Sequence, residues 1–122
     1  MIQAYYLYTG PDGHSHVTRG SIVDNEVTAA KSVLFKETPP HATLEWHNAP
    51  TTQYVITLSG TLEFTMHDGE TFTLGPGDIL IALDVTGTGH SWRLVDDEPW
   101  RRLYVAFDQD AKINFQPDKS LG

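Results

Sequence analysis

Short segments rich in β-branched and aromatic residues alternate with turn-forming clusters of Gly, Pro, Asp and Asn, and this alternation constrains the fold more than any other feature. The segments recur about every ten residues, a spacing typical of a sandwich or barrel of short strands. No segment has the periodicity of a convincing helix. The sequence therefore predicts an all-β fold with little or no helix. The predicted strands are Ile2–Tyr8, Val17–Val23, Ser32–Lys36, Thr43–Trp46, Gln53–Leu58, Thr61–Met66, Ile79–Leu83, Ser91–Val95 and Leu103–Phe107.

Two tight reversals are predicted between these strands, at Ser59-Gly60 and at residues 67–70. The second contains Asp68-Gly69, which supplies the positive φ angles that a hairpin turn needs. Together they predict that the middle strands are antiparallel. The cluster from Gly75 to Asp78 is predicted to be a turn, because its proline lacks a backbone donor and does not fit a central strand.

Length and composition limit the kind of protein. A chain of 122 residues fits one domain spanning 1–122, since domains most often have about 100 to 150 residues. We expect the tail from 111 to 122, which loses the alternation, to lie on the surface. No segment approaches the roughly 20 apolar residues that cross a bilayer, and the N-terminus lacks the pattern of a signal peptide. With no cysteine, the chain fits a reducing compartment, so a cytoplasmic location is expected.

The formal net charge of −8 argues against two classes of partner. A strongly acidic chain repels the phosphate backbone of nucleic acids and the surface of anionic membranes. The acidic residues are scattered through predicted turns and form no tail or run. We therefore expect neither nucleic acid nor a membrane as a partner, and interpret the charge as an acidic surface.

Two motifs follow each other in the centre of the chain. The first has His47, then Gln53, then Gly60 seven positions later. The second comprises Gly69, the turn at 76–78 and His90. In this order the two motifs resemble those of the cupin superfamily, and the likeness covers roughly positions 47 to 92. The resemblance implies a jelly-roll barrel, also called a double-stranded β-helix.

The same resemblance implies a metal site inside the barrel, with His47, Gln53 and His90 as ligands. Cupins usually have a second histidine where this chain has Ala49, and a methyl group cannot bind a metal. In an alternative register Trp46 and Asn48 would occupy the two histidine positions, but the first register also aligns Pro50 and is preferred.

The chain is also similar to a group of small single-domain bacterial cupins. The shared segments lie at 12–16, 46–54 and 84–90, so in this group Ala49 belongs to the variant metal motif. This likeness implies the fold but not the substrate. The family habit of pairing, together with the mostly apolar segment Ile2–Tyr8 as an edge strand, predicts a homodimer.

Strand alternation places some of these residues on faces. His90 shares one face of its strand with Trp92 and Leu94. Because this face is apolar, it must point inward. Gln53 shares a face with Val55 and Thr57; alternation leaves open which face is buried, and the cupin resemblance puts Gln53 inside. Trp92 and Trp46 are the predicted ligand-binding residues.

Two carboxylates are catalytic candidates. Glu45 lies on the same face as His47 if the strand continues, where it could replace the missing ligand or act as a base; exposure at a strand end is the alternative. Asp84 precedes His90 and could orient an imidazole or carry a proton, the alternative being a cap on a glycine loop. Arg101 and Arg102 face opposite sides of a strand, and one of them could reach a substrate carboxylate; exposure or a surface ion pair is the preferred reading for each.

Two functions are compatible with these residues. Two imidazoles and an amide would leave a divalent Mn, Fe, Co, Ni or Zn ion with its full charge, and therefore a strong Lewis acid. The leading hypothesis is a metal-assisted isomerase, lyase or oxygenase acting on a small oxygen-rich molecule. The alternative is a metal-free binding or sensing module that holds a small-molecule ligand without catalysis.

Overall fold

The computed structural model describes residues 1–118, which form eleven strands and no helix. All nine predicted strands are present, with ends shifted by a few residues. Sequence analysis missed Thr71–Leu74 and Gln116–Pro117, which are only four and two residues long. The strands are β1 (Ile2–Thr9), β2 (Ser15–Ile22), β3 (Ser32–Thr38), β4 (Thr43–His47), β5 (Gln53–Ser59), β6 (Leu62–Met66), β7 (Thr71–Leu74), β8 (Ile79–Ala82), β9 (His90–Leu94), β10 (Trp100–Ala106) and β11 (Gln116–Pro117).

These strands form two sheets. The larger has the order β11-β2-β1-β8-β5-β10-β3, and the smaller has the order β4-β9-β6-β7. Their inner faces enclose the main core, which includes Leu7, Val55, Phe64 and Leu80. The all-β double-stranded β-helix is confirmed, but the two sheets are not closed into a barrel, and β3 and β4 each lie at the edge of a sheet.

The two predicted reversals have different outcomes. Residues 67–70 join β6 to its antiparallel neighbour β7, with Gly69 at φ +87°, as predicted. Ser59-Gly60 instead carries the chain from the larger sheet to the smaller one, so β5 and β6 are not paired. Periodicity cannot distinguish these cases, because a turn residue permits either a hairpin or a crossover.

The prediction that Ile2–Tyr8 is an edge strand is wrong. β1 pairs with β2 on one side and with β8 on the other, so its backbone is satisfied along both edges. Its apolar residues are buried on both faces of the sheet. Ala4 and Leu7 are both fully buried, but they belong to different core clusters. The exposed apolar edge belongs to β3, where Phe35 is 71% exposed.

The described part of the predicted surface tail packs against the larger sheet. Gln116 and Pro117 pair with β2, and the ring of Phe115 stacks on Tyr6 at 5.0 Å. Asn114 donates its backbone N–H to the Tyr54 hydroxyl at 2.9 Å. Residues 111–118 therefore cover the outer face of the larger sheet, because that face carries apolar groups that need a partner. The rest of the predicted tail, 119–122, lies outside the described residues.

Candidate functional site

A cavity of about 380 Å³ lies between the two sheets. Its volume is at the lower end of the range typical of small-molecule sites. Exposed Leu34 and Lys36 of β3 and exposed Leu44 of β4 mark its opening at the two free sheet edges. The other lining residues are His47, Asn48, Ala49, Pro50, Gln53, Val55, Phe64, Leu80, Ala82, His90, Trp92, Trp100, Arg102 and Tyr104.

The three predicted metal ligands all line this cavity. Gln53 and His90 are buried at 7% and 4% exposure, and His47 is half-buried. Gln53 and Val55 face the cavity, whereas Tyr54 packs on the outer side of the sheet, so the inward orientation of Gln53 is as the cupin resemblance implied. Their role as ligands stays a prediction.

The two histidines are brought together by strand pairing. His47 of β4 lies opposite His90 of β9, and their rings meet edge to face with centroids 4.5 Å apart. Gly89, at φ +74°, lies so close to the His47 carbonyl that a Cβ atom would overlap it. A glycine at this position therefore lets the two strands approach and sets the position of His90.

The side chain of His47 is held in one orientation. Its Nδ1 lies 2.7 Å from the carbonyl oxygen of Glu45 and donates to it, which leaves Nε2 for a ligand. Burial lowers the pKa of His47 below its usual 6.5, and the neighbouring His90 acts in the same direction, against the opposing effects of the Glu45 carbonyl and Asp84. His47 is therefore neutral near pH 7.

The prediction that Glu45 belongs to the site is not supported by its position. The pairing of β4 with β9 shifts by one residue between Leu44 and His47. Because of this bulge, His47 shares the cavity face with Leu44 instead of with Glu45. The Glu45 side chain is exposed and lines a separate surface depression.

Trp46 also lies outside the cavity. It is 43% exposed, and its ring stacks on His67 at 3.7 Å on the surface. Trp92, by contrast, lines the cavity and packs edge to face against Trp100 at 4.9 Å. Of the two predicted ligand-binding tryptophans, the structure therefore places only Trp92 at the site.

Asp84 lies directly behind His90. Its Oδ2 atom accepts hydrogen bonds from His90 Nδ1 at 2.6 Å and from the Ser15 hydroxyl at 2.7 Å. Asp84 and Ser15 are fully buried. Asp84 thus orients the imidazole, one of the two roles considered from the sequence. Ser15, at the start of β2, was not predicted as a site residue; the available signal was its place in the segment 12–16, which resembles the small bacterial cupins.

The second carboxylate oxygen of Asp84 is unusual. Oδ1 is buried and has no hydrogen-bond partner among the described residues. A buried carboxylate oxygen normally has a hydrogen-bond partner, so this atom is an exception within the described part of the chain. The negative charge is directed at His90, which forms its shortest contact.

Sequence analysis also underestimated the burial of Arg102. It is only 3% exposed and lines the cavity, whereas Arg101 points outward and pairs with Glu37 at 2.6 Å. The surface ion pair preferred for both arginines is thus right for Arg101 and wrong for Arg102. The alternation of Trp100, Arg102 and Tyr104 on β10 was the available signal, because all three face the cavity.

Few side chains of the described residues are placed to bind a divalent ion at this cavity. Residues 1–118 contain no group of three His, Cys, Asp or Glu side chains placed to share an ion. Ala49 is buried at the cavity wall where cupins usually have an imidazole. The wall carries His47, His90 and Gln53, the neutral donors that the cupin resemblance assigns to an ion.

The fold and the site define a class of protein: a double-stranded β-helix with a cavity between its two sheets. Residues 34–106, more than half of the chain, match the family model described as cupin domain. The protein therefore belongs to the cupin family. It matches no curated protein. Within residues 1–118, no helix is long and apolar enough to cross a membrane.

One solved structure shows the same fold at low identity, and two others are similar to this chain to a lesser degree. A double-stranded β-helix protein from Klebsiella pneumoniae is 24% identical, with a TM-score of 0.51. The alignment covers 82% of this chain and 84% of the Klebsiella chain. A polyketide cyclase from Streptomyces resistomycificus is 18% identical (TM-score 0.48, covering 82% and 71%). An ethanolamine utilization protein from Salmonella typhimurium, so described only provisionally, is 20% identical (TM-score 0.42, covering 88% and 96%). At these identities the likeness concerns the fold alone.

Proposed function

We propose that this protein catalyses proton transfer on a small oxygen-rich molecule bound in the cavity, as an isomerase or a lyase does. The observation that carries the proposal is the buried contact of 2.6 Å between Asp84 Oδ2 and His90 Nδ1 at the cavity wall. A buried carboxylate that orients a histidine next to a substrate cavity is a recurring arrangement for a general base.

The proposed step follows from the hydrogen bonds of His90. Because Nδ1 donates to Asp84, the lone pair of the neutral ring lies on Nε2, which accepts a proton from a substrate C–H beside a carbonyl. Asp84 stabilises the imidazolium so formed, and Ser15 fixes the carboxylate. Return of the proton to a neighbouring substrate atom gives isomerisation, and its delivery to a leaving group gives elimination. The Gln53 amide donates a hydrogen bond to a substrate oxygen, and Nε2 of neutral His47 accepts one from a substrate hydroxyl.

Hydrogen exchange tests this step without knowledge of the natural product. Small 2-oxo acids, hydroxy acids and sugar acids are incubated with the protein in D2O, and loss of C–H signals is followed by proton NMR. We expect His90→Gln to slow exchange by about 10² to 10⁴-fold, the usual contribution of a general base. The control is His41→Gln, because His41 also contacts an aspartate, at 2.8 Å, but is exposed and does not line the cavity.

Two results would count against a proton-transfer enzyme. Equal exchange in the wild type and in His90→Gln would remove His90 as the base. Binding of a compound from the panel, with no exchange for any of them, would favour a metal-free binding or sensing module.

A second candidate function is metal-assisted catalysis by the same cavity. The observation that favours it is that both His47 and His90 have Nδ1 held by an oxygen acceptor, the usual orientation of a metal-bound histidine. These residues, with Gln53, would hold Mn, Fe, Co, Ni or Zn, and the ion would polarise a substrate carbonyl. Metal analysis of protein purified without chelator tests it, with His47→Gln as the comparison. A metal content that is negligible, or unchanged by this substitution, would rule it out.

We also propose that a second copy of the chain pairs along β3. Its outer edge pairs with no other strand of residues 1–118, and Val33, Leu34 and Phe35 are all more than half exposed. With Leu34 on a two-fold axis, antiparallel pairing would place Val33 opposite Phe35 and Lys31 opposite Glu37. Apolar and charged groups are then both complementary, as a symmetric contact requires.

A further inference from the structure

The charge of the cavity wall is opposite to that of the chain. The protein has a formal net charge of −8, yet none of the aspartates and glutamates in residues 1–118 lines the cavity, while Arg102 and Lys36 do. Asp84 lies behind His90 and does not line the wall. The two cations are neighbours, since Lys36 of β3 lies opposite Arg102 of β10.

Arg102 is a buried charge whose protein partners are all neutral. Its Nε donates to the Tyr104 hydroxyl at 3.0 Å, and its Nη1 donates to the Thr38 hydroxyl at 2.6 Å and to the Trp100 carbonyl at 3.0 Å. The guanidinium also stacks on the Trp100 ring at 3.7 Å. Within residues 1–118 it forms no ion pair, unlike Arg19, Arg93 and Arg101.

These contacts fix the guanidinium and leave part of it for a ligand. Three of its five N–H groups are used, and the two on Nη2 have no partner among the described residues. Buried charges in proteins are normally paired, because an isolated charge loses its hydration without compensation. A rigidly held cation that faces a cavity is therefore compensated when an anion enters.

The remaining wall indicates the rest of the ligand. Phe64, Trp92, Trp100 and Val55 present apolar and aromatic surfaces to the cavity, which His90 also lines. We infer that the cavity binds a small organic carboxylate with a flat or apolar body, with the carboxylate on Arg102 and the body between the aromatic rings. The inference deepens the proposed function and rests on it for the statement that this carboxylate is the substrate.

Binding measurements separate the charge from the body of the ligand. The probes are benzoate, phenylacetate and cinnamate, each compared with its neutral amide at constant ionic strength. Binding is read from the fluorescence of the cavity tryptophans and by calorimetry. We expect at least one carboxylate to bind about 10 to 100-fold more tightly than its amide, because hydrogen bonds to charged groups are the stronger ones.

Variants then assign the preference to Arg102. We expect Arg102→Gln to abolish the difference between acid and amide, and Arg102→Lys to retain part of it, since a lysine keeps the charge but not the planar fork. The matched control is Arg101→Gln, on the same strand but exposed and paired with Glu37, which should leave binding unchanged. If Arg102→Gln does not fold, Arg102→Lys and the acid-to-amide comparison in the wild type still decide the matter.

The inference is overturned if no carboxylate binds more tightly than its amide, or if the preference survives in Arg102→Gln. Its failure is distinguishable from failure of the proposed function, because His90→Gln removes the base and leaves Arg102 in place. Carboxylate binding that persists in His90→Gln supports the anion site whatever the exchange experiment shows, and exchange that depends on His90 without any carboxylate preference overturns the anion site alone.

Discussion

Replacing Asp84 with alanine removes the acceptor on which the interior of the site depends. The carboxylate oxygen Oδ2 accepts one hydrogen bond of 2.6 Å from His90 and one of 2.7 Å from Ser15. Asp84 and Ser15 are completely buried and His90 is 4% exposed, so water does not replace the lost acceptor without rearrangement. Asp84→Ala therefore leaves two buried donors unsatisfied.

The magnitude follows from those two donors. Each buried donor without a partner costs about 1–3 kcal/mol. Part of this loss is offset, because the variant no longer buries a carboxylate whose Oδ1 has no partner. We expect the free energy of unfolding to fall by about 2–4 kcal/mol, in the direction seen when one member of a buried ion pair is removed.

Denaturant unfolding with linear extrapolation measures the loss. Asp84→Asn should cost about 1 kcal/mol or less, because its amide oxygen can still accept from both donors. The second comparison is Asp68→Ala, which removes an exposed carboxylate that accepts the Glu70 N–H at 2.8 Å in a turn. A loss for Asp84→Ala no larger than that for Asp68→Ala would refute the argument that the buried hydrogen bonds stabilise the fold.

Three further predictions concern the backbone, the pH dependence and the edge of the larger sheet. Gly89→Ala should lower the free energy of unfolding by at least about 1–3 kcal/mol more than Gly69→Ala, because both glycines have positive φ but only Gly89 abuts another backbone, at His47; equal losses in denaturant unfolding would contradict this. Because burial lowers the pKa of His47, the unfolded chain binds more protons than the folded one as the pH falls below about 6.5, so the free energy of unfolding declines there. In His47→Gln this decline should be smaller. An identical pH profile of unfolding in the wild type and the variant would refute the assignment. Phe35→Glu should shift the protein from dimer to monomer in sedimentation experiments over a dilution series, because it puts a charge on the exposed β3 edge; a wild type that is monomeric at every concentration, or a variant that stays dimeric, would refute pairing there.

Alternation in the sequence predicted the strands well, because a half-buried strand must place apolar residues at every second position. It located His90, Trp92 and Leu94 on one inward face, and burial in β9 follows that pattern. It failed at β4, where the bulge between Leu44 and His47 changes which residues share a face. A bulge depends on pairing with another strand. The alternation of residues within β4 therefore could not predict that Glu45 and Trp46 lie outside the cavity.

Pairing partners were equally inaccessible from the local pattern. β1 was expected at an edge because it is mostly apolar. A central strand is also mostly apolar, because both of its faces are covered, and β1 is such a strand. Only the strand order shows that β3, with its exposed Phe35, has the free apolar edge.

The sequence by itself determined the class of fold and the residues that meet at its centre. The spacing of strands and turns predicted a sandwich or barrel of short strands, and the resemblance of the two motifs to cupins implied that His47, Gln53 and His90 meet at one cavity, which all three line. The tertiary structure decided what surrounds them. Ser15 reaches Asp84 across 69 positions of sequence, and Arg102 is enclosed by Thr38, 64 positions away. Such contacts form because strands distant in sequence pack face to face or edge to edge, and a side chain's charge environment is a property of that packing and not of its neighbours in the chain.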